Sequence, residues 1–271
     1  MTTISPPAGV GDLLRGWRQR RRLSQLDLSV EAEVSARHLS FVETGRSKPS
    51  RELVLHLAEH LDVPLRERNS LLLAAGYSPA YAERSLDDQD MDPVRTTLDR
   101  ILQGHEPYPA VIVDRSWDLV SANAPAFGLF TEGVAAHLLD PPVNVYRLGL
   151  HPDGLAPRVR NLAEYSQHLV TQLRRDAALS GDPRLAALLD EVRGYPGVVD
   201  GALELTDAAS LLFLPIELGQ ADGSVLSLFS TISTFGTALD VTLAELSIEQ
   251  FFPADEATQA ELRRRCAGTG A

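Results

Sequence analysis

Leu23-Ser24-Gln25, Val34-Ser35, Phe41-Val42-Glu43-Thr44-Gly45-Arg46 and Pro49-Ser50 fall within 28 consecutive residues. Their order decides how the first part of the chain folds. Ser24 is suited to cap a helix that starts at Gln25, and Asp27 suits the positive end of that helix. Leu28 and Ala32 then turn inward, and small Ser29 permits close helix approach. Val34 plugs a tight turn and Ser35 caps a second helix, Ala36 to Thr44, with Gly45 as its stop. On that second helix Leu39 and Val42 share the inner face, while Arg37, His38 and Phe41 fall on the open one. Two short helices joined in this way present the second with the size and polarity to enter the major groove of DNA.

The neighbouring sequence extends the pattern on both sides. Gly11 to Arg21 reads as a helix with Leu13, Leu14 and Trp17 on one side. Arg15, Arg18, Arg20, Arg21 and Arg22 occupy the rest, either as a solvated basic face or as contacts to phosphate. After Arg46, Ser47 and Lys48, Pro49-Ser50 opens a helix with Leu53, Leu57 and Leu61 inside. Asp62-Val63-Pro64 breaks it, and a fifth helix from Leu65 ends at Gly76. The string His56-Leu57-Ala58-Glu59-His60 puts two histidines on one helix face, as zinc peptidases do. A catalytic zinc needs a third protein ligand and a pocket, so the string reads instead as two exposed histidines.

Residues 11–76 resemble the Cro/lambda-repressor-type helix-turn-helix family, also called the xenobiotic response element family. Ser24-Gln25, Val34-Ser35, Leu39, Glu43, Gly45, Arg46 and Pro49-Ser50 carry the resemblance. It implies an all-α, five-helix lambda-repressor-like domain that binds double-stranded DNA. It also implies that Gln25 contacts phosphate, that Ser35, Arg37, His38 and Phe41 face bases or backbone, and that Arg46 and Lys48 clamp flanking phosphates. Arg37 is the best placed to read a guanine edge, because its fork matches the O6/N7 pair. Phe41 offers only packing, for example on a thymine methyl. Glu33 departs from the family, which often has glycine there; a left-handed backbone would cost it about 1 kcal/mol.

Charge supports the same division. The 271 residues carry 25 basic and 37 acidic side chains, a net charge of −12. Residues 1–80 are slightly basic, with 11 basic against 9 acidic groups, and the remainder is strongly acidic, with 14 against 28. Local charge decides where phosphates can approach, so the acidic remainder confines DNA contact to one face. Hydrophobic content of 44% suits a globular protein, and no apolar run is long enough to span a membrane. The start lacks a signal-peptide pattern. Cys266 is the only cysteine, which excludes an internal disulfide and fits a reducing cytoplasm.

The expected organisation is a helix-turn-helix domain over residues 1–77, an acidic linker over 78–91 and a second domain over 92–271. Asp92-Pro93 opens a helix to Gly104. Ala110 to Asp114 and Trp117 to Ala122 read as a hairpin, and Asn123 caps a helix through Phe127 and Phe130. Helices follow at Pro157 to Leu179 and Asp182 to Arg193. Strands are expected at Leu211 to Leu218, Val225 to Phe235 and about Leu243 to Phe252, then a helix from Asp255 to Cys266. This is an α+β, PAS-like module: a five-stranded antiparallel sheet with helices.

The layout resembles the MmyB-like branch of the helix-turn-helix regulators. Tyr108-Pro109-Ala110, Trp117-Asp118, Ala122-Asn123-Ala124, Val145 to Pro152 and Phe251-Phe252-Pro253 carry that resemblance. It implies a transcription regulator with a ligand-sensing domain, and fatty-acid-like ligands are associated with the fold. Trp117, Phe127, Phe130 and Phe229 are candidates for an apolar pocket wall. Asn144, Arg147 and His151 lie in the irregular segment that follows, where an arginine would suit a carboxylate ligand. The plainer reading makes the aromatics core, Asn123 a cap and Arg147 half of a surface ion pair. A homodimer is expected, with recognition helices about 34 Å apart or a multiple of that. The alternative is a DNA-binding protein whose second domain serves only dimerisation or partner docking. Motifs for nucleophilic hydrolysis, dinucleotide or phosphate binding are missing, so neither an enzyme nor a cofactor is expected.

Overall fold

The computed structural model of the protein describes residues 9–201 and 214–268. They form two compact units: one runs to residue 84 and takes in 237–244, the other comprises 85–236 and the chain from 245 on.

The first unit holds α1 (Val10–Arg20), α2 (Gln25–Glu31), α3 (Ala36–Glu43), α4 (Arg51–His60) and α5 (Leu65–Ala74). Side-chain oxygens of Ser24, Ser35 and Ser50 accept from backbone amides in the first turns of α2, α3 and α4, satisfying donors a helix start leaves orphaned. Leu14, Trp17, Leu28, Leu39, Val42, Leu57 and Leu61 close the core. Between α2 and α3 the turn is left-handed at Glu33, with φ +52°, and Val34 donates to the Ser29 carbonyl at 2.9 Å. Gly11 carries no side chain because a Cβ would meet the Val42 carbonyl at 2.4 Å; α1 therefore lies directly on the end of α3. The segment after α5, read from sequence as the start of a linker, is ordered by Asn69, whose side chain bonds the backbone of Ala80 and Tyr81.

The second unit contains α6 (Asp92–Gly104), β1 (Ala110–Val113), β2 (Leu119–Ala122), α7 (Ala124–Phe130), α8 (Val145–Leu150), α9 (Leu162–Ser180), α10 (Pro183–Arg193), β3 (Ile216–Gly219), β4 (Val225–Thr234), β5 (Ser247–Pro253) and α12 (Glu256–Gly268). A short helical turn, α11 (Val241–Ala244), lies between β4 and β5 and groups with the first unit. There the Val241 amide donates to the Ala82 carbonyl at 2.8 Å. The sheet is antiparallel with order β2-β1-β5-β4-β3, a PAS-like arrangement. Asn123 joins three elements: its Oδ1 accepts from Ala110 and Ala126, and its Nδ2 donates to the Leu102 and Tyr108 carbonyls.

Several boundaries shift for physical reasons. The second strand begins at Leu119 rather than Trp117, because Trp117 sits at φ +63° inside the connecting turn. The long helix starts at Leu162 rather than Pro157, after a 3-10 turn at Ala156–Arg158. The last strand starts at Ser247 because Val241–Ala244 is helical. Leu211 to Phe213 of the expected third strand lie outside the described residues.

Candidate functional site

The open face of α3 gathers polar and cationic groups. Ser35, Arg37, His38, Arg46 and Lys48 are exposed and Phe41 is half-buried. The Arg37 guanidinium stands 5.4 Å and that of Arg46 6.0 Å from the centre of the Phe41 ring. Phe41 therefore spaces two cations on one face. Lys48 lies 5.2 Å from the Tyr77 ring, and the Tyr77 hydroxyl donates to the Pro49 carbonyl, which anchors the loop after α3.

Behind this face lies a network that sequence reasoning missed. Arg18 donates from Nε and Nη2 to the two carboxylate oxygens of Glu43 at 2.7 and 2.8 Å. Gln25 Nε2 donates to the same carboxylate at 2.8 Å, and Arg15 donates to the Glu43 carbonyl at 2.7 Å. Burial raises the pKa of the Glu43 carboxyl, but the Arg18 and Gln25 hydrogen bonds and the charges of Arg18 and Arg15 outweigh it, leaving it below the ordinary value. Gln25, expected on phosphate, thus spends its amide on Glu43. Arg15 and Arg18 of α1 serve the fold in the same way. Arg21 donates to the Leu61 and Asp62 carbonyls and, with Arg20, lies over the Trp17 ring.

His56 and His60 stack edge to face, and each bonds a backbone carbonyl, of Ala32 and His56 respectively. Among the described residues the group with metal-ligand proximity is elsewhere: His137, His151 and Asp153 bring ligand atoms within 4.8 Å of one another.

In the second unit an apolar cavity of about 130 Å³ lies between one sheet face and helices α7, α8 and α9, with Trp117, Phe127, Phe130, Tyr146, Glu249 and Phe251 in its wall. A second cavity of about 550 Å³ adjoins it, sharing Tyr165, Gln172, Ile216 and Glu249. Strand register explains the wall. Ala122, Val111, Glu249 and Ile232 are cross-strand partners in β2, β1, β5 and β4 and so share one face, with Phe251 two residues on from Glu249. Trp117 is turned toward the helices by its left-handed backbone. The turn is held by Asp114, which accepts from the Ser116 and Asp118 amides, and by Asn144, which donates to the Ser116 carbonyl and the Asp118 carboxylate. Its indole meets the Tyr146 ring edge to face, 5.2 Å between centres.

The other expected pocket residues stand elsewhere. Arg147 forms a bidentate ion pair with Glu191, both bonds 2.8 Å, on an exposed surface, because α10 carries the acid past α8. Asn144 caps α8 and braces the Trp117 turn. His151 packs against Tyr195 and His137. Phe229 stacks on its strand partner Phe252 on the sheet face opposite Phe251.

No helix among the described residues is long and apolar enough to cross a membrane. Over 75 residues the chain is 39% identical to the transcriptional regulator ClgR of Mycobacterium tuberculosis, in both strains CDC 1551 / Oshkosh and ATCC 25618 / H37Rv; the match takes in 28% of this chain and spans 64% of those relatives. Among solved structures, an RNA-binding light-oxygen-voltage receptor aligns with TM-score 0.29 and 14% identity, over 96% of this chain and 62% of its own. Residues 10–71 match a helix-turn-helix domain, and residues 94–264 match the ligand binding domain of MmyB-like transcription regulators. The chain belongs to the MmyB-like transcription regulators, with a helix-turn-helix domain ahead of a ligand-binding domain.

Proposed function

We propose that this protein is a cytoplasmic, homodimeric regulator whose affinity for its DNA operator is set by a small apolar molecule in the cavity of the second unit. The observation that carries the reading is that cavity, whose mostly apolar walls lie between one sheet face and three helices. An alkyl chain of the fatty-acid-like kind suits the walls contributed by Trp117, Phe130, Leu148 and Phe251.

On the DNA side, Arg37 reads the groove, Ser35, His38 and Phe41 border it, and Arg46 and Lys48 meet phosphate, while Gln25 braces Glu43 behind them. Chain connectivity supplies the coupling. Strands β4 and β5 carry cavity residues such as Ile232 and Glu249, and the residues that join these strands are packed within the DNA-binding unit. A ligand acts only through its different affinity for DNA-competent and DNA-incompetent arrangements.

Selection of bound DNA from a random pool, at two salt concentrations and with and without extracted apolar metabolites, tests this. A symmetric site whose affinity shifts on ligand addition is expected. A site bound equally well in both conditions, from protein that binds no apolar molecule, overturns ligand control and leaves a DNA-binding dimerisation or docking scaffold.

A further inference from the structure

The turn that ends α8 and the segment after α7 bring two imidazoles and a carboxylate together. Ligand atoms of His137, His151 and Asp153 all lie within 4.8 Å of one another. Asp153 Oδ2 is 3.9 Å from His151 Nδ1, and the two histidine rings meet edge to face with 5.6 Å between centres. Beneath them the backbone is fixed. Gly154 donates to the His151 carbonyl at 2.9 Å and Leu155 to the Leu148 carbonyl at 2.8 Å. A Cβ at Gly154 would meet that Leu148 carbonyl at 2.3 Å, so the turn requires glycine. The Ala135 amide donates to the Asp153 carbonyl at 2.9 Å and ties the His137 segment to the turn. Leu138, Leu150 and Leu155 are buried, whereas His137 and Asp153 are exposed. His151 also meets the Tyr195 ring at 4.9 Å, and the Tyr195 hydroxyl donates to Glu191 at 2.5 Å. His56, His60 and His105 each spend a ring nitrogen on a backbone carbonyl. Among the described residues, the His137 ring meets only the ring of His151.

We propose that His137, His151 and Asp153 form a binding site for a divalent transition-metal ion such as zinc. Two imidazoles and one carboxylate suit zinc, copper or nickel rather than magnesium or calcium, which take oxygen ligands. A tetrahedral zinc spaces its ligand atoms about 3.3 Å apart, and rotation of the two exposed side chains closes the present 3.9 and 4.8 Å to that spacing. His151 Nδ1 accepts from the Asp153 amide at 3.0 Å. The ion takes over that lone pair, exchanging one neutral hydrogen bond for bonds to three side chains, with water in the fourth position. The surroundings attract cations, because residues 81–271 carry 14 basic against 28 acidic groups. Bound there, the ion clips together two segments that both supply cavity wall, Leu139 from one and Leu148, Gly149 and Leu155 from the other. The site stands whether or not that cavity takes a ligand.

The test uses the full chain without a histidine tag, stripped of metal by a chelator, with Zn²⁺ as the probe. Affinity and stoichiometry are read by competition with a chromophoric chelator. The wild type is expected to bind Zn²⁺ at one saturable site. His137→Ala is expected to weaken binding at least tenfold while leaving the metal-free thermal midpoint unchanged, because the side chain is exposed. Asp153→Asn is expected to weaken it severalfold. His151→Phe keeps a ring against Tyr195 and is expected to weaken it at least tenfold; if that variant does not fold, His137→Ala and Asp153→Asn decide. Changing both His56→Gln and His60→Gln, in the helical unit, is expected to leave binding within twofold. Zn²⁺ that fails to bind, or binds as tightly to His137→Ala as to the wild type, overturns the site. Binding that does not saturate marks attraction to the acidic surface and also overturns it, as does binding lost with His56 and His60.

Discussion

Glu43 in the helical unit and Glu249 in the sheet unit are both carboxyls lodged among apolar neighbours, and they are treated in opposite ways. Glu43 receives a bidentate guanidinium, an amide and the charge of a second arginine, so both of its carboxylate oxygens are paired. Glu249 has Ser230 beside it and no cation in the cavity wall it lines, and nearby Tyr146 keeps a buried hydroxyl without a partner. Satisfied buried charge fixes how α1, α2 and α3 meet, which is what a rigid reading head needs. Unsatisfied buried polarity is costly as architecture, and a cavity is where such a cost can be offset by something that binds.

The largest expected effect comes from breaking the satisfied side. Glu43→Ala leaves Arg18 buried without its partner and should cost about 3–5 kcal/mol. Hydrogen exchange of α1 and α3 amides should show the loss confined to the helical unit, along with loss of DNA binding. A loss under about 1 kcal/mol would mean that Arg18 finds water easily and that the network is surface decoration. Next in size is Arg37→Ala. If Arg37 reads a guanine, affinity for the selected operator falls by about 1–3 kcal/mol and preference at one position relaxes. Equal loss on all sequences would instead make Arg37 a phosphate contact.

These two residues differ in how legible they were. Ser24, Ser35, Ser50, Asn123 and the exposed Arg37 could be read from sequence because capping and helical period are local. The Glu43–Arg18 pair spans 25 positions and Arg147–Glu191 spans 44, so both pairings exist only once helices have packed. Strand period gave the second obstacle. Phe229 and Phe251 look alike in sequence, yet register puts Phe251 on the cavity face and Phe229 on the other. β5 carries phenylalanine on both faces, Phe251 and Phe252, so residue type alone does not say which face meets the cavity. Glu249 was invisible for a related reason: an acid in a strand usually marks the solvent side.

Acid should drive the two carboxyls apart. Glu43 has a folded pKa below that of the unfolded chain. Its contribution is therefore present above that value and is lost as pH falls through the folded pKa. Glu249 has a raised folded pKa, so the unfolded chain releases its proton first. Its contribution is favourable in acid and fades as pH rises from the unfolded value to the folded one. Wild type minus Glu43→Gln should thus gain stability with rising pH, and wild type minus Glu249→Gln should lose it. Parallel slopes would show that Glu249 has a partner as good as that of Glu43.

The smallest effect separates the two regions most cleanly, because it reverses sign. Removing a paired polar group from a core destabilises it, whereas removing an orphan one relieves a desolvation penalty. Tyr146→Phe deletes only the unpartnered hydroxyl and keeps the ring that meets Trp117 edge to face. The ligand-free sheet unit should therefore become more stable, by about 1 kcal/mol, as seen in chemical denaturation. A destabilised ligand-free variant would show that the hydroxyl is already paired, and the contrast between a completed charge and a waiting one would not hold.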